Sequence, residues 1–431
     1  MEVTIIHYHL NPGGVSRLIE AQIGGIKSAS GSTDMMILCG NANELSTVHG
    51  VGIIADKLLN YLDVDTTEGQ YAEIVSAIMS LIMKNLSGHP VLHFHNPNLG
   101  KNPALTMAVY KLASGGIPVI NHCHDFPEDR PANLSLLNSV IPGLSQLSLQ
   151  QVMYPGFPWY HFVVLNSCDY QRILQQGVSA SRIHLLPNPV LINEPILTSD
   201  RQSLKRKICR MLNLDHTKKI CTYPVRAIER KNLGEFILIA ALFADVAHFV
   251  VTLPPRNPLE LQKYNHWKSF CSDNGLMVIF EAGEVVNHEE LIKISDFCIT
   301  TSIREGFGMV YLEPWLAGTS VIGRELACII GDLKSRGVEF PRLYKKILVE
   351  TTEGLIDFKD FKPDEQESII KAVINQPEST RKLFRNNPLL MRLLDDIPAE
   401  IILKNQQVVK KRFSIEEYGK ELLAIYREIS R

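Results

Sequence analysis

Two glutamates with seven residues between them, Glu305 and Glu313, frame the stretch Arg304-Glu305-Gly306-Phe307-Gly308-Met309-Val310-Tyr311-Leu312-Glu313. Carboxylates accept paired hydrogen bonds from vicinal hydroxyls, the chemistry needed to hold a sugar or a ribose. Gly306 and Gly308 let backbone N–H groups approach a ligand closely. A helix expected to start there adds donors and a positive dipole end, which suit a phosphate or a sugar hydroxyl. A second constellation is Arg226-Ala227-Ile228-Glu229-Arg230-Lys231-Asn232. Arg226 and Lys231, just ahead of a helix, can grip both phosphates of a nucleoside diphosphate and neutralise it as a leaving group without a metal. Two strands end in paired histidines, His93 and His95, then His122 and His124, the last followed by Asp125. Strand alternation puts each pair on one face. Four imidazoles suggest a metal, but no further cluster supplies a bridging carboxylate, and polar strand ends beside a cleft are the simpler reading. Taken singly, the other two stretches read most simply as a solvated basic turn and a glycine-containing strand–helix turn.

These side chains need a scaffold. The apolar run Phe297–Thr301 reads as a buried parallel strand ahead of Glu305, and Met309, Leu312 and Leu316 as one side of a helix ending at Gly318, with Pro314 a kink. Strand-like runs recur at Glu2–Tyr8, Asp34–Cys39, Gly52–Ala55, Pro90–Phe94, Pro118–Asn121, His161–Leu165 and Arg182–Leu186. Helical patterns between them include Val15–Ser28, Tyr71–Lys84, Pro103–Ala113 and Asp169–Gln175. A second alternation starts at Lys218–Pro224, with helix Leu233–Phe243, strands Ala247–Leu253 and Val278–Phe280, and a strand ending Val321-Ile322-Gly323-Arg324-Glu325, where Arg324 and Glu325 could face the cleft. The alternation predicts an α/β protein with two doubly wound, Rossmann-like parallel sheets, whose ligands bind beyond the carboxyl ends of the strands.

The length of 431 residues fits two domains. A net charge of -2 argues against a nucleic-acid partner. The eight cysteines show no paired short spacing, so neither a disulfide framework nor a zinc ribbon is expected. Cys123, Cys298 and Cys328 read as small core residues. No apolar run approaches membrane-spanning length, and the chain opens on a strand rather than a signal peptide, which points to the cytoplasm. The basic runs Lys205-Arg206-Lys207 and Lys410-Lys411-Arg412 read as solvated surface, so peripheral membrane contact is not favoured. Asp129 and Arg130 are expected to pair with each other.

The spacing Glu305-x7-Glu313, led by Ser302 and followed by Ala317-Gly318-Thr319-Ser320-Val321-Ile322, resembles the signature of family 4-type retaining glycosyltransferases of the GT-B fold. Arg226 and Lys231 match that family's phosphate site. Gly13 and Gly14, after the first strand, resemble the loop placed against donor diphosphate and acceptor. His124-Asp125 resembles the His-Asp whose imidazole lies beside the reacting carbon. The resemblance is strongest from about residue 218 to 322 and faint beyond 331. It implies a metal-independent hexosyltransferase using a nucleotide-diphosphate sugar, with UDP favoured over GDP or ADP, no cofactor, and an unidentified acceptor. It assigns the diphosphate to Arg226 and Lys231 and the ribose to Glu313. The sugar falls to Glu305 and the Gly306, Phe307, Gly308 and Met309 amides. It also implies an acceptor-side domain over 1–195, a nucleotide-sugar domain over 196–412, and a helix over 413–431, opened by a capping box at Ser414, crossing back to the first. Leu191–Arg201 reads as the linker.

The chain departs from the pattern in three places. Asn232 stands where the family has glycine, Pro189 replaces the glycine of Pro-Asn-Gly-Val, and Pro254-Pro255 replaces a glycine-rich turn beside the nucleotide. Two alternatives therefore stay open: a GT-B enzyme that hydrolyses or epimerises a sugar nucleotide, and a non-catalytic sugar-nucleotide-binding protein.

Overall fold

The computed structural model describes residues 1–42, 50–62, 66–88, 90–190 and 198–430. It divides into two compact units, Met1–Leu191 with Phe413–Arg431, and Ile192–Arg412. Residues 191–197, the core of the linker reading, lie outside the described residues; the rest of that reading is superseded, because a helix begins at Thr198.

In the first unit, β1 (Glu2–His7), β2 (Asp34–Cys39), β3 (Gly52–Ala55), β4 (Val91–His95), β5 (Val119–Cys123), β6 (Tyr160–Val164) and β7 (Ile183–Leu185) form one sheet in the order β3-β2-β1-β4-β5-β6-β7. Every recorded pairing in it is parallel. Helices α1 (Gly14–Ala29), α2 (Glu68–Lys84), α3 (Pro103–Ser114), α4 (Pro131–Ser145), α5 (Leu149–Met153) and α6 (Ser167–Gln175) connect the strands. The central strands are apolar because both faces are covered, with Ile5, Ile6, Leu92, Phe94, Ile120 and Phe162 all buried. The order reverses between β1 and β4, and that crevice is where such sheets take ligands.

The second unit repeats the plan. It carries α7 (Thr198–Met211), β8 (Lys219–Arg226), α8 (Leu233–Phe243), β9 (Ala247–Leu253), α9 (Pro258–Asp273), β10 (Val278–Ile279), α10 (His288–Ile294), β11 (Phe297–Thr300), α11 (Glu313–Leu316), β12 (Ser320–Arg324), α12 (Ala327–Ser335) and β13 (Leu343–Tyr344). The sheet order is β10-β9-β8-β11-β12-β13, reversing between β8 and β11. A hairpin, β14 (Leu348–Thr351) and β15 (Gly354–Asp357), and helices α13 (Pro363–Asn375), α14 (Pro377–Asn386), α15 (Pro388–Met391) and α16 (Ala399–Arg412) complete it.

The last helix, α17 (Ile415–Ile429), belongs to the first unit and packs on α1. Gly25 and Gly419 meet at that crossing. A Cβ on Gly419 would lie 2.2 Å from the Gly25 backbone, so only glycine permits this approach. Ser414 caps the helix by accepting from the Glu417 amide at 3.1 Å.

Several local expectations need correction. Arg324 does not face a ligand crevice: it is 2% exposed, bonded to Glu235 at 2.6 and 2.8 Å and to Asp357 at 2.7 and 2.9 Å. Tyr344 donates to the same Glu235 at 2.8 Å. A lone strand-end arginine gives no sign of two carboxylates arriving from α8 and the hairpin. Asp129 pairs with Arg172 at 2.9 Å, and Arg130 with Asp125 at 3.2 Å, rather than with each other. Lys205 is not solvated surface, since it bonds Asp296 at 2.8 Å and the Lys218 carbonyl at 3.1 Å. Cys123 and Cys298 are buried, whereas Cys328 is half-buried.

Candidate active site

In the second unit the two expected motifs meet at the β8/β11 reversal. β8 runs two residues beyond the expected Pro224 and ends on Arg226 itself. A one-turn 3-10 helix, Glu229–Lys231, then delivers Lys231, and Asn232 opens α8 in the left-handed conformation at φ 57. Asparagine tolerates that region, so it does the backbone work of the family's glycine. Its amide also bonds Glu235 at 2.9 Å. Across the crevice, β11 gives way to a loop holding Glu305. Lys231 Nζ bonds Glu305 Oε1, Arg230 bonds Glu305 Oε2 at 2.6 Å, and Ser302 donates to Oε1 at 2.7 Å. The Lys231 and Glu305 side chains are only 10% and 6% exposed. Burial opposes the charge on Glu305, but the Lys231 ammonium and Arg230 outweigh it and hold its pKa below the usual carboxylate range. Burial meanwhile pulls Lys231 below its ordinary value.

Arg226 lies apart from this triad. It donates to the Pro254 carbonyl at 3.1 Å, and among the described residues it pairs with no carboxylate. Proline lacks an N–H but keeps its acceptor, so the Pro254-Pro255 departure supplies a rest for the guanidinium. Arg226 and Lys231 thus share a turn without sharing a partner.

The Gly306–Met309 segment leads into a 3-10 turn, Met309–Tyr311, and not into a long helix. Glu313 therefore begins α11, with Pro314 in its first turn, instead of lying two turns inside a helix. Proline is at home there, because a first-turn N–H has no intrahelical partner, so the expected kink is absent. Glu313 is half-buried, and its charge acts on Lys231. Gly308 sits at φ 83, where a Cβ would press Tyr311 at 2.8 Å and Ile329 at 3.2 Å. Phe307 is 7% exposed. A cavity of about 450 Å³ opens beside the Ala227–Gly234 segment, lined in part by Tyr264, Trp267 and Gln366, and none of Arg226, Lys231, Glu305 or Glu313 lines it.

In the first unit, Gly13 caps α1 and Gly14 is its first residue. Both have extended or helical backbone and are exposed, and a Cβ on either would meet nothing closer than 3.7 Å. Local packing therefore does not demand these glycines, and the first turn of α1 has no side-chain cap.

Strand alternation and the β4–β5 register, His95 opposite His122, bring all four strand-end histidines together. His95 Nδ1 lies 2.8 Å from His124 Nε2, and His93 Nε2 lies 3.1 Å from His122 Nδ1. Burial depresses every one of these rings, with His93 and His124 lowered to about 3 and His7, close by on β1, to about 4. The Asn96 side chain accepts from the His124 and Asp125 amides at 2.6 and 3.2 Å, pinning the turn that presents His124. Nitrogens of His93, His95 and His122 lie within 4.8 Å of one another, a spacing open to a metal ion. Binding one through His93 Nε2 and His122 Nδ1 would break their mutual bond. His122 Nδ1 meets His93, yet its Nε2 is buried without a partner among the described residues. Two residues escaped notice in the sequence: Gln22 on α1 and Tyr426 on α17, both buried and bonded to this cluster. A glutamine at the i+4 position from Leu18, inside an apolar stripe, was the available signal.

No protein-family model matches the chain. Mannosylglucosyl-3-phosphoglycerate synthase of Petrotoga mobilis is 29% identical over an alignment 445 positions long, covering 99% of this chain and 83% of that protein. Anabaena HepE in complex with UDP-glucose superposes with a TM-score of 0.61 at 15% identity, over 99% of this chain and all of that one. The sucrose-phosphate synthase of Thermosynechococcus elongatus gives 0.58 at 13% identity, over 100% and 99% of the two chains. The structural likeness, with two α/β units built on parallel sheets of seven and six strands, is that of the GT-B fold. The chain thus has the GT-B fold, and along nearly its whole length it is similar to a curated glycosyl-group synthase.

Proposed function

We propose that the chain is a retaining, metal-independent glycosyltransferase that moves a hexose from a nucleotide-diphosphate sugar to an acceptor hydroxyl. The observation that carries the reading is the turn after β8. There Arg226, in no ion pair among the described residues, stands five positions from a Lys231 oriented by Glu305. Two such cations bind diphosphate in the ground state and stabilise it more as the glycosidic bond breaks. In this scheme Glu313 takes the ribose hydroxyls. Glu305 and the Gly306–Met309 amides take the sugar, and Glu305 keeps one acceptor position, on Oε2, besides those facing Lys231, Arg230 and Ser302. His124 lies beside the anomeric carbon, and Gly13 and Gly14 leave room for the acceptor and the diphosphate. The acceptor hydroxyl attacks the anomeric carbon from the face that the diphosphate leaves, and a diphosphate oxygen takes its proton.

HepE was seen with UDP-glucose, which supports a UDP-sugar donor. The Petrotoga relative's name describes a product joining mannosyl, glucosyl and 3-phosphoglycerate groups, which supports a hexosyl acceptor carrying anionic groups. Calorimetry with UDP, GDP and ADP tests the donor grip. Arg226→Ala and Lys231→Ala should each lose a charged hydrogen bond, about 1.5–3 kcal/mol, or roughly 10- to 150-fold in affinity. Unchanged diphosphate affinity in both variants would sink the assignment.

A further inference from the structure

Beneath His124, five side chains from β4, β5, α1 and α17 are joined by hydrogen bonds. Gln22 is fully buried in α1. Its Nε2 donates to the Tyr426 hydroxyl at 2.8 Å and lies 3.2 Å from His93 Nδ1, while its Oε1 lies 3.1 Å from His95 Nε2. Tyr426 Oη is also 2.7 Å from His93 Nδ1. His95 Nδ1 in turn meets His124 Nε2 at 2.8 Å, with the two ring planes 7° apart. A carbonyl oxygen only accepts, so the proton between Gln22 and His95 belongs to His95 Nε2. A neutral imidazole carrying its proton on Nε2 has its lone pair on Nδ1. His95 Nδ1 must then accept, and the donor facing it is His124 Nε2–H. His124 is left with its lone pair on Nδ1.

We propose that Gln22 and His95 are positioning residues for His124, holding its proton on Nε2 so that Nδ1 is the atom offered to a substrate hydroxyl. The proposal rests on the reading that His124 lies beside the donor sugar. It gives the last helix a part in the reaction, because the Tyr426 hydroxyl accepts from Gln22 Nε2 while Oε1 of the same amide faces His95. Desolvation keeps all four histidines of the two strands uncharged near neutral pH, so the two chains of bonds transmit tautomer and not charge. Helix α1 supplies both ends of this arrangement: Gln22 below and, at its start, the first-turn amides of Gly14–Ser16, which have no side-chain cap.

The test is a two-bond 1H–15N spectrum of the full chain labelled at histidine, recorded without substrate at neutral pH and assigned by a His124→Ala comparison. The expected His124 signature is the Nε2–H form. Gln22→Met removes the carbonyl at similar volume, and should turn His124 to a mixture of tautomers. In the transfer assay it should lower kcat on the order of 10- to 100-fold, with KM little changed. His95→Asn places an amide oxygen near the lost Nδ1 and should keep more activity than His95→Leu. An Nδ1–H signature in the wild-type protein overturns the proposal. So does a Gln22→Met chain with wild-type tautomer and kcat. The spectrum needs no turnover, so the tautomer assignment can fail while sugar transfer stands. If a variant fails to fold, the wild-type spectrum alone decides.

Discussion

Acid should unfold the first unit well before the second. His7, His93, His95, His122 and His124 are at most partly in contact with solvent, and burial holds them neutral, with pKa values of about 4 for His7 and about 3 for His93 and His124. In the unfolded chain each would titrate near 6.5. Between those values the unfolded state binds protons that the folded state refuses, so stability is whole above about pH 6.5 and is lost as the pH falls toward 4 and then 3. At pH 5.5 an unfolded histidine is about ten-elevenths protonated, which costs the fold about 1.4 kcal/mol per ring. His7, His93 and His124 together give about 4 kcal/mol. His95 and His122, lowered further still, bring the sum to about 7 kcal/mol, comparable with the whole stability of a domain. Strands β8 and β9 of the second unit carry one such ring, His248. Hydrogen exchange followed by mass spectrometry from pH 7.5 to 5 reads the two units separately. Protection in β4 and β5 should fall steeply while β8 and β9 hold, and His93→Gln should lower the pH slope of β4 and β5 by about one proton. Equal loss in both units, or a slope untouched by His93→Gln, would refute the reasoning.

Three further outcomes follow from single residues. Arg324→Met leaves Glu235 and Asp357 buried without their cation, and should cost about 3–5 kcal/mol in urea denaturation of the second unit. Gly308→Ala must adopt φ 83 against Tyr311 and Ile329, and should lower nucleotide affinity or stability by roughly 1–3 kcal/mol. By contrast, Gly14→Ala should fold as the wild type does, since nothing stands within 4 Å of the added Cβ.

The sequence carried the sheets well because parallel strands announce themselves: Asp34–Cys39, Gly52–Ala55 and Ala247–Leu253 are apolar runs cut cleanly by turn residues, and the strands fall on those bounds. Helix α8 was equally plain, an apolar block between Asn232 and Ala244. Periodicity failed at Met309–Leu316. Apolar positions there suit a long helix, but the left-handed Gly308 and Pro314 split it into a 3-10 turn and a short α-helix. At the candidate site, types and spacing singled out Lys231, Glu305 and His124, yet could not give their partners. The bonds of Glu305 to Lys231 and Arg230 span more than seventy residues, and that of Tyr426 to His93 spans more than three hundred. Arg324 was misread for the same reason. A charged strand end looks alike whether it faces a ligand or two buried carboxylates.

The stereochemistry of transfer tests the central claim most directly. Purified chain, held in EDTA, is given an α-linked nucleotide-diphosphate hexose and an acceptor, and the first-formed product is read by proton NMR of its anomeric signal. The account predicts an α-linked glycoside, formed with stoichiometric release of nucleoside diphosphate. A β-linked product, free hexose in place of a glycoside, or activity that returns only with a divalent ion would contradict it.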